Sequence, residues 1–596
     1  MNTIYRGIPA APGIAIGSVL QFDASALKII RAHINKSDIE GEIQKLLKAV
    51  SQAKANVFKV KKEVEEKLGG EHAKIFDAHM LILDDSVIID KAVEDIKVNQ
   101  KNAGYAFDDT ILDIIRKLQN VNDEYLRDRI VDVRDVRNRV LHILFGTHLY
   151  TLADLMNPCI VVSHELTPSD TAQMNKEMIM AVVTETGGKT SHAAILARAL
   201  EIPSVIGLPK ALHLLHSGAT IIVDGNSGEV VVEPDKETIK KYQLEKRKFN
   251  NFEKRMLKFA DRPARTKDGR EINILANIEL PFEIDTCKDH GARGVGLFRT
   301  EFLYLTRTDL PSEEEQTAVY EDLAKKVAPD PFVIRTFDLG GDKFVHGTDK
   351  QEEMNPFLGW RSIRISLDRE DIFRVQLRAI LRASTTKNIR IMFPMISGLE
   401  QLRQAKFILE EEKQKLIKRK IPCDEDIKVG TMIEVPAAAL IAEHLAKECD
   451  FISVGTNDLV QYTIAVDRGN QKIAHLFEEL HPSILAFISA IIEAGHNANI
   501  PVGVCGEMAA DPAEFLILLG MGVDNFSMSP IIIPEMKKLL SSVAFEDVYY
   551  LVSKVMKLKT VHEIKKCIKD ELKDTLGILP FYQEESLKDH YRPQTG

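Results

Sequence analysis

No stretch of the 596-residue sequence approaches the roughly 20 consecutive apolar residues that span a bilayer as a helix. The opening residues, Met1-Asn-Thr-Ile-Tyr-Arg-Gly-Ile-Pro, carry no secretory apolar core. Positive charge is outnumbered: 78 Lys and Arg stand against 88 Asp and Glu, a net charge of −10. That balance argues against nucleic acid as a partner, which would need a basic surface. Cysteine is sparse as well. Cys159, Cys287, Cys423, Cys449, Cys505 and Cys567 are scattered with no CxxC pair, so neither a disulfide framework nor a zinc site is indicated. These absences leave no membrane insertion and a reducing, cytoplasmic setting. Five of the cysteines read as small buried apolar residues; Cys505 stands apart for reasons given below.

What is present is a globular composition, 45% hydrophobic and 28% charged, at a length that implies several domains. The chain is organised around Thr184-Glu-Thr-Gly-Gly-Lys-Thr-Ser-His192. An apolar run from Met178 to Val183 precedes it and reads as a buried strand; Ala193 to Leu200 follows with helical spacing. Gly187-Gly188 makes the turn, and Thr190 and Ser191 are N-cap types. His192 is therefore expected in the first turn of a helix. Free N–H groups and the positive end of the helix dipole there suit a bound phosphate. The same field disfavours imidazolium and keeps the ring nucleophilic.

Taken in order, residues 1–22 form a turn-rich start and a strand, too short to stand alone. From Ser37 to Phe145, apolar residues recur at helical spacing: Ile39, Ile43, Leu46, Leu47 and Val50, then Ile75, Phe76, His79, Met80 and Leu83. Phe107, Ile111, Ile114 and Ile115 follow, then Val131, Val133, Val136, Val140 and Ile143. About four helices in a bundle are expected over 33–147, either purely structural or a docking surface for a partner protein. Short strands return over 148–233, among them Cys159–Ser163, Thr220–Asp224 and Glu229–Val232. With residues 1–22 they make one α/β domain interrupted by the bundle. The charge-rich span 234–262 reads as a helical linker between two large parts.

From 263 to 596, eight apolar strand candidates alternate with helical spans: Ile272–Ile278, Gly294–Phe298, Phe332–Phe337, Ile389–Met395, Val429–Ile433, Phe451–Val454, Val502–Val504 and Asn525–Ser527. Eight such units predict a (β/α)8 barrel, with chemistry at the C-terminal strand ends. The chemistry-bearing residues fall there. Arg299 and Glu301 follow the second strand, Arg335 to Lys343 the third, Glu434 the fifth, Asn457, Asp458 and Arg468 the sixth, and Cys505 the seventh. Converging arginines point to a phosphate or carboxylate ligand. Glu434 and Asp458 suit Mg²⁺, which takes one or two carboxylates and completes its shell with water and substrate oxygens. Cys505 could donate a proton.

Gly-Gly-Lys-Thr-Ser-His-Ala-Ala-Ile-Leu-Ala-Arg resembles the phosphohistidine segment of phosphoenolpyruvate-using enzymes. Gly-Leu-Phe-Arg-Thr-Glu-Phe, Arg-Thr-Phe-Asp-Leu-Gly-Gly-Asp-Lys, Asn355-Pro-Phe-Leu-Gly-Trp-Arg361, Gly455-Thr-Asn-Asp-Leu-Val-Gln and Cys505-Gly-Glu-Met-Ala resemble their substrate-binding barrel. Dikinase and synthase relatives carry a large ATP-grasp domain ahead of the histidine segment; a helical bundle lies there here, as in the enzyme I family, the phosphoenolpyruvate-protein phosphotransferases. The resemblance implies an α/β multidomain chain: a phosphohistidine α/β domain with an inserted HPr-binding helical bundle, then a phosphoenolpyruvate-binding (β/α)8 barrel that also forms a homodimer. It implies that His192 carries the phosphoryl group and passes it to the phosphocarrier HPr. Arg299, Arg335 and Arg468, with Lys343 and Asn457, would hold substrate. Glu434 and Asp458 would hold Mg²⁺, and Cys505 would protonate the leaving enolpyruvate to pyruvate. The chain departs from the family at Glu185, Lys189 and the stretch 344–351. Lys189 and the altered stretch 344–351 are the support for a different reading, a catalytically weak regulatory paralogue.

Overall fold

The computed structural model describes residues 3–22, 31–68, 75–119, 130–146, 152, 155, 157–166, 168–171, 174–188, 192–305, 310–340, 353, 355–468, 470 and 472–574. It divides into two compact units, one built from residues up to Glu253 and one from Lys254 onward. The boundary falls inside one helix, Lys236–Leu257.

In the first unit, eight strands form one sheet. They are β1 (Thr3–Arg6), β2 (Ile8–Ala11), β3 (Ile14–Gln21), β4 (Cys159–Ser163), β5 (Ile179–Thr184), β6 (Ser204–Ile206), β7 (Thr220–Asp224) and β8 (Glu229–Val232), in the order β1-β8-β7-β3-β4-β5-β6-β2. The first 22 residues thus find their partners more than a hundred residues later. β1 pairs with β8, β2 with β6, and β3 lies between β7 and β4. The parallel centre β3-β4-β5-β6 reads as near-continuous apolar runs because both faces are covered. Val161, Val162, Val182 and Val183 are completely buried.

The helical insertion differs from the expectation of about four helices. Five occur among the described residues: Ile39–Leu68, Ile75–Asp84, Ser86–Asn99, Ala103–Gln119 and Ile130–Leu144. The extra one starts where Asp85 interrupts the chain for a single residue and caps a new helix, its carboxylate accepting from Val87 N–H at 2.8 Å. Ile43, Leu46 and Val50 are buried as expected, but Leu47 lies on the solvent side. Gly69-Gly70, invoked as a break, lies outside the described residues.

In the second unit, β9 (Asn273–Ile278), β10 (Val295–Phe298), β11 (Phe332–Arg335), β12 (Ile389–Phe393), β13 (Lys428–Ile433), β14 (Phe451–Val454), β15 (Val502–Val504) and β16 (Asn525–Met528) close into an all-parallel barrel. β16 pairs back onto β9, with Phe526 opposite Ile274 and Ser527 opposite Leu275. Leu297, Val333, Met392, Met432, Phe451 and Cys505 form one small apolar cluster. A larger cluster joins the strands to their helices. The barrel is a packed core whose chemistry is confined to its rim.

Candidate active site

Apart from Arg468, which follows the helix Thr456–Ile464, each expected barrel residue within the described chain stands at or within a few residues of a strand's C-terminal end. Arg335 ends β11 and is buried among carboxylates. Its Nη2 donates to Glu301 Oε1 at 2.8 Å, and its Nη1 pairs with Asp338 Oδ2 at 2.8 Å. Burial disfavours the charged form, but Asp338, Glu301 and Glu434 outweigh it and push the pKa up. Asp338 bridges to a second guanidinium, Arg361, whose Nη2 lies 3.1 Å from Oδ1. Arg361 Nη1 also donates to Tyr462 Oη at 3.3 Å, and that hydroxyl donates to Phe357 O at 2.6 Å. Arg335 Nε, Arg361 Nε, Thr336 Oγ1 and Thr456 Oγ1 are buried with no hydrogen-bond partner in the structure. Such orphaned donors are costly unless a ligand completes them.

Arg299, one residue past β10, pairs with Glu279, which follows β9. Burial pulls its pKa down, and the neighbouring Arg335 charge adds to that; Arg468 acts in the same sense, so the three arginines share one electrostatic environment. Arg468 is the most exposed of them, 3.4 Å from Glu507. Lys343 lies outside the described residues.

Glu434, just past β13, is 1% exposed. Its Oε1 accepts from Met395 N–H at 2.7 Å. Burial raises its pKa well above the usual range, and the charges of Asp458 and Asp338 raise it further, against Arg335. The backbone of Gly455 passes close beside it: a Cβ there would stand 2.7 Å from Glu434 Oε2 and 3.0 Å from Glu434 Cβ, so a larger residue would displace the carboxylate. Asp458 and Asn457 lie in the first turn of the helix Thr456–Ile464, and Asn457 Oδ1 accepts from Glu507 N–H at 3.0 Å. Among the described residues no cluster of three His, Cys, Asp or Glu is arranged to hold a metal. A buried carboxylate burdened by a second one nonetheless fits a hard divalent cation that draws its other ligands from substrate and water.

Cys505 follows β15 directly, 5% exposed, and caps the apolar barrel interior. Burial pushes its thiol up to about 11; Ser453, Arg335 and Arg299 act against that shift and Glu434 with it. The other five cysteines are unpaired too, but of those only Cys287 is fully buried, the rest being half-buried.

In the first unit, His192 is the first residue of the helix His192–Ala199, after β5 and a turn in which Gly187 takes φ +106°. Lys189, Thr190 and Ser191 lie outside the described residues. Glu185 anchors the turn: Oε2 lies 2.7 Å from His164 Nδ1, and Oε1 accepts from Leu212 N–H at 2.9 Å. Burial raises its pKa, but those two contacts prevail and hold it below the usual range.

Family models of phosphoenolpyruvate-utilising enzymes match in three stretches: the N-terminal domain over residues 6–129, the mobile domain over 155–228 and the phosphoenolpyruvate-binding domain over 253–545. The phosphoenolpyruvate-protein phosphotransferase of Bacillus subtilis (strain 168) is 39% identical over 95% of this chain and 99% of its own. The chain belongs to the phosphoenolpyruvate-protein phosphotransferase family. A second member of that family, from Geobacillus stearothermophilus, is 40% identical over 95% of this chain and 98% of its own. Among solved structures, an NMR solution structure of Enzyme I (nEIt) is 38% identical and covers 41% of this chain and 99% of that one, with a TM-score of 0.36.

Within this family member, sequence reasoning placed Glu301 at the second strand end and Arg361 in a barrel segment without seeing that they hold site residues, and it missed Glu279, Asp338 and Tyr462. Asp338 lay inside a quoted segment, and its proximity to Arg335 in sequence was the available signal. Glu279 and Tyr462 reach partners 20 and 101 residues away, which no local pattern reveals.

Proposed function

We propose that this chain transfers the phosphoryl group of phosphoenolpyruvate to His192, releasing pyruvate, and then to a histidine of HPr. The observation that carries the reading is the barrel rim itself: carboxylate-held arginines with unpartnered buried N–H groups, two carboxylates and a protonated thiol on successive strand ends. Phosphoryl transfer asks a protein for positioning and charge neutralisation. Arg335 is held by Asp338 and Glu301 before substrate arrives, so its orientation costs nothing at the moment of reaction. Arg299, Arg468 and Asn457 add donors for the phosphate and carboxylate oxygens, and Lys343 is assigned the same task. Glu434 and Asp458 would hold Mg²⁺, which supplies Lewis-acid stabilisation of phosphate and enolate oxygens. The P–O bond to the enol oxygen breaks as the bond from phosphorus to a His192 ring nitrogen forms. Cys505 keeps its proton at neutral pH and delivers it to C3 of the enolate, giving pyruvate.

HPr docking is assigned to the helical insertion, homodimerisation to the barrel unit and residence to the cytoplasm. One histidine serving two half-reactions calls for a swivel, placed in the linker containing Lys236–Leu257. The test is labelling with ³²P-phosphoenolpyruvate and Mg²⁺. Acid-labile, base-stable label that is absent from His192→Ala and removed by HPr supports the reading. Label that persists in His192→Ala refutes it.

A further inference from the structure

One side chain at the barrel rim serves the geometry of Cys505 and has no part in the roles above. Asn277, the penultimate residue of β9, sends its amide across the end of β16 to β15. Its Nδ2 donates to Cys505 O at 3.0 Å and to Ser527 O at 3.1 Å, and its Oδ1 accepts from Ser527 Oγ at 2.5 Å. Two carbonyls on one side and a hydroxyl on the other fix which end of the amide is nitrogen. Both amide protons are used.

The thiol has two side-chain contacts, Val454 O at 3.7 Å from Sγ and the Ser453 side chain. The position of Cys505 on the rim is set by its backbone. The β15–β16 ladder ends at Val504 opposite Phe526, so Cys505 lies one residue beyond it. On one side Cys505 N–H still donates to Val454 O at 3.2 Å. On the other side its carbonyl has left the ladder, and Asn277 is the partner that replaces it.

We propose that Asn277 is a positioning residue for the proton-transfer step, acting through Cys505 to hold the thiol over C3 of the enolate. The proposal rests on the reading of Cys505 as the proton donor. In that step the S–H bond breaks and a C–H bond forms at C3 from the enolate's electron pair, while C2 becomes a carbonyl. The thiolate left behind recovers a proton from water, and the reverse reaction runs the same atoms backwards. A shift of the Cys505 backbone misplaces the thiol without touching the arginines that bind phosphate. Forward phosphorylation tolerates this, because released enolpyruvate ketonises in water. The reverse reaction does not, since it needs the thiolate to take a proton from the pyruvate methyl group.

The experiment uses the full chain with Mg²⁺, phosphoenolpyruvate and pyruvate in D₂O. It compares deuterium entry at C3 with the rate of ³²P labelling and with KM for phosphoenolpyruvate. Asn277→Asp is isosteric but turns a carboxylate oxygen toward two carbonyls. It should lower C3 exchange about tenfold or more while labelling and KM stay within about threefold. Ser527→Ala, which removes only the hydroxyl that orients the amide, should lower exchange in the same selective way by about threefold. Cys505→Ala separates the two failures. If it retains C3 exchange, the reading of Cys505 as the acid is wrong. If it loses exchange while Asn277→Asp and Ser527→Ala both keep it, the role of Asn277 is refuted. A parallel fall in exchange, labelling and substrate affinity in Asn277→Asp would mark a merely structural clamp and overturn the proposal as well.

Discussion

Asp338 is the residue whose removal the structure prices most directly. Its side chain is 4% exposed and bridges two guanidiniums, Arg335 at 2.8 Å and Arg361 at 3.1 Å. In Asp338→Ala, Arg335 keeps Glu301, but Arg361 loses its hydrogen-bonded carboxylate and keeps the neutral hydroxyl of Tyr462 and the more distant charge of Asp458. Breaking a buried pair by deleting one partner typically costs about 3–5 kcal/mol, because the stranded charge remains desolvated. For a domain of this size that corresponds to a fall in the barrel's melting temperature of about 4–7 °C. Asp338→Asn keeps an acceptor and the volume, so about half that loss is expected. The pH dependence has a defined sign. Burial raises the Asp338 pKa, but Arg335 and then Arg361 outweigh it and hold the carboxyl below its ordinary value. A group depressed in the folded state contributes stability above its unfolded value of about 3.9, and the contribution is lost as pH falls through the folded value. The gap between the parent chain and Asp338→Asn should therefore stay constant from pH 8 to pH 5 and narrow only below about pH 4. Scanning calorimetry of the full chain, following the barrel transition, measures both. A shift of under about 1 °C for Asp338→Ala, or a gap that closes between pH 8 and pH 6, would refute the bridge as a stabilising element.

Other expectations are independent of that one. With its thiol near 11, Cys505 should be alkylated by iodoacetamide at pH 8 some 100-fold or more slower than an unhindered cysteine, as read by mass spectrometry; labelling at the ordinary rate would show a thiolate and remove its role as an acid. Tyr462→Phe removes the hydroxyl that accepts from Arg361 and donates to the Phe357 carbonyl and should lower kcat/KM for phosphoenolpyruvate about 5–30-fold, chiefly through KM, whereas an unchanged KM would leave Tyr462 without a share in the site. Glu185→Ala frees the turn before His192 from His164 and Leu212 and should slow phosphorylation while costing about 1 kcal/mol in stability, and equal labelling rates would contradict it. A cross-link between the two units should abolish one of the two half-reactions, and survival of both would dispose of the swivel.

The legible parts of this molecule were those written locally. Phe451–Val454 is a short run between Asp450 and Gly455, and Val502–Val504 follows Pro501, with Gly506 two residues past its end; both agree with the structure residue for residue. The rim residues were legible for the same reason, since in a parallel barrel a residue just past a strand lies at the active end by construction. The bundle was less legible because helical periodicity runs on through Asp85, which stops one helix and caps the next within a single residue. What supports the site was not legible. Asn277 reaches Cys505 across 228 positions, and Glu412 is saturated by Arg374, Arg378 and Lys415 drawn from two helices. Contacts of that kind are fixed only when the barrel closes.

The thiol shows why closure matters for chemistry as well as for folding. Arg335 and Arg299, taken alone, would acidify Cys505 toward a thiolate, the form that cannot donate. Burial against Leu297, Val333, Met392, Met432 and Phe451 opposes them and prevails. In the mechanism proposed above, an arriving substrate would bring phosphate and carboxylate charge to those same guanidiniums and cancel much of their pull. Binding would then strengthen the proton's hold on sulfur until the phosphoryl group departs and the carbon beside it becomes basic. On that reading the arginines that recruit the anion oppose the acid only before the anion arrives, and the apolar barrel interior covers that interval.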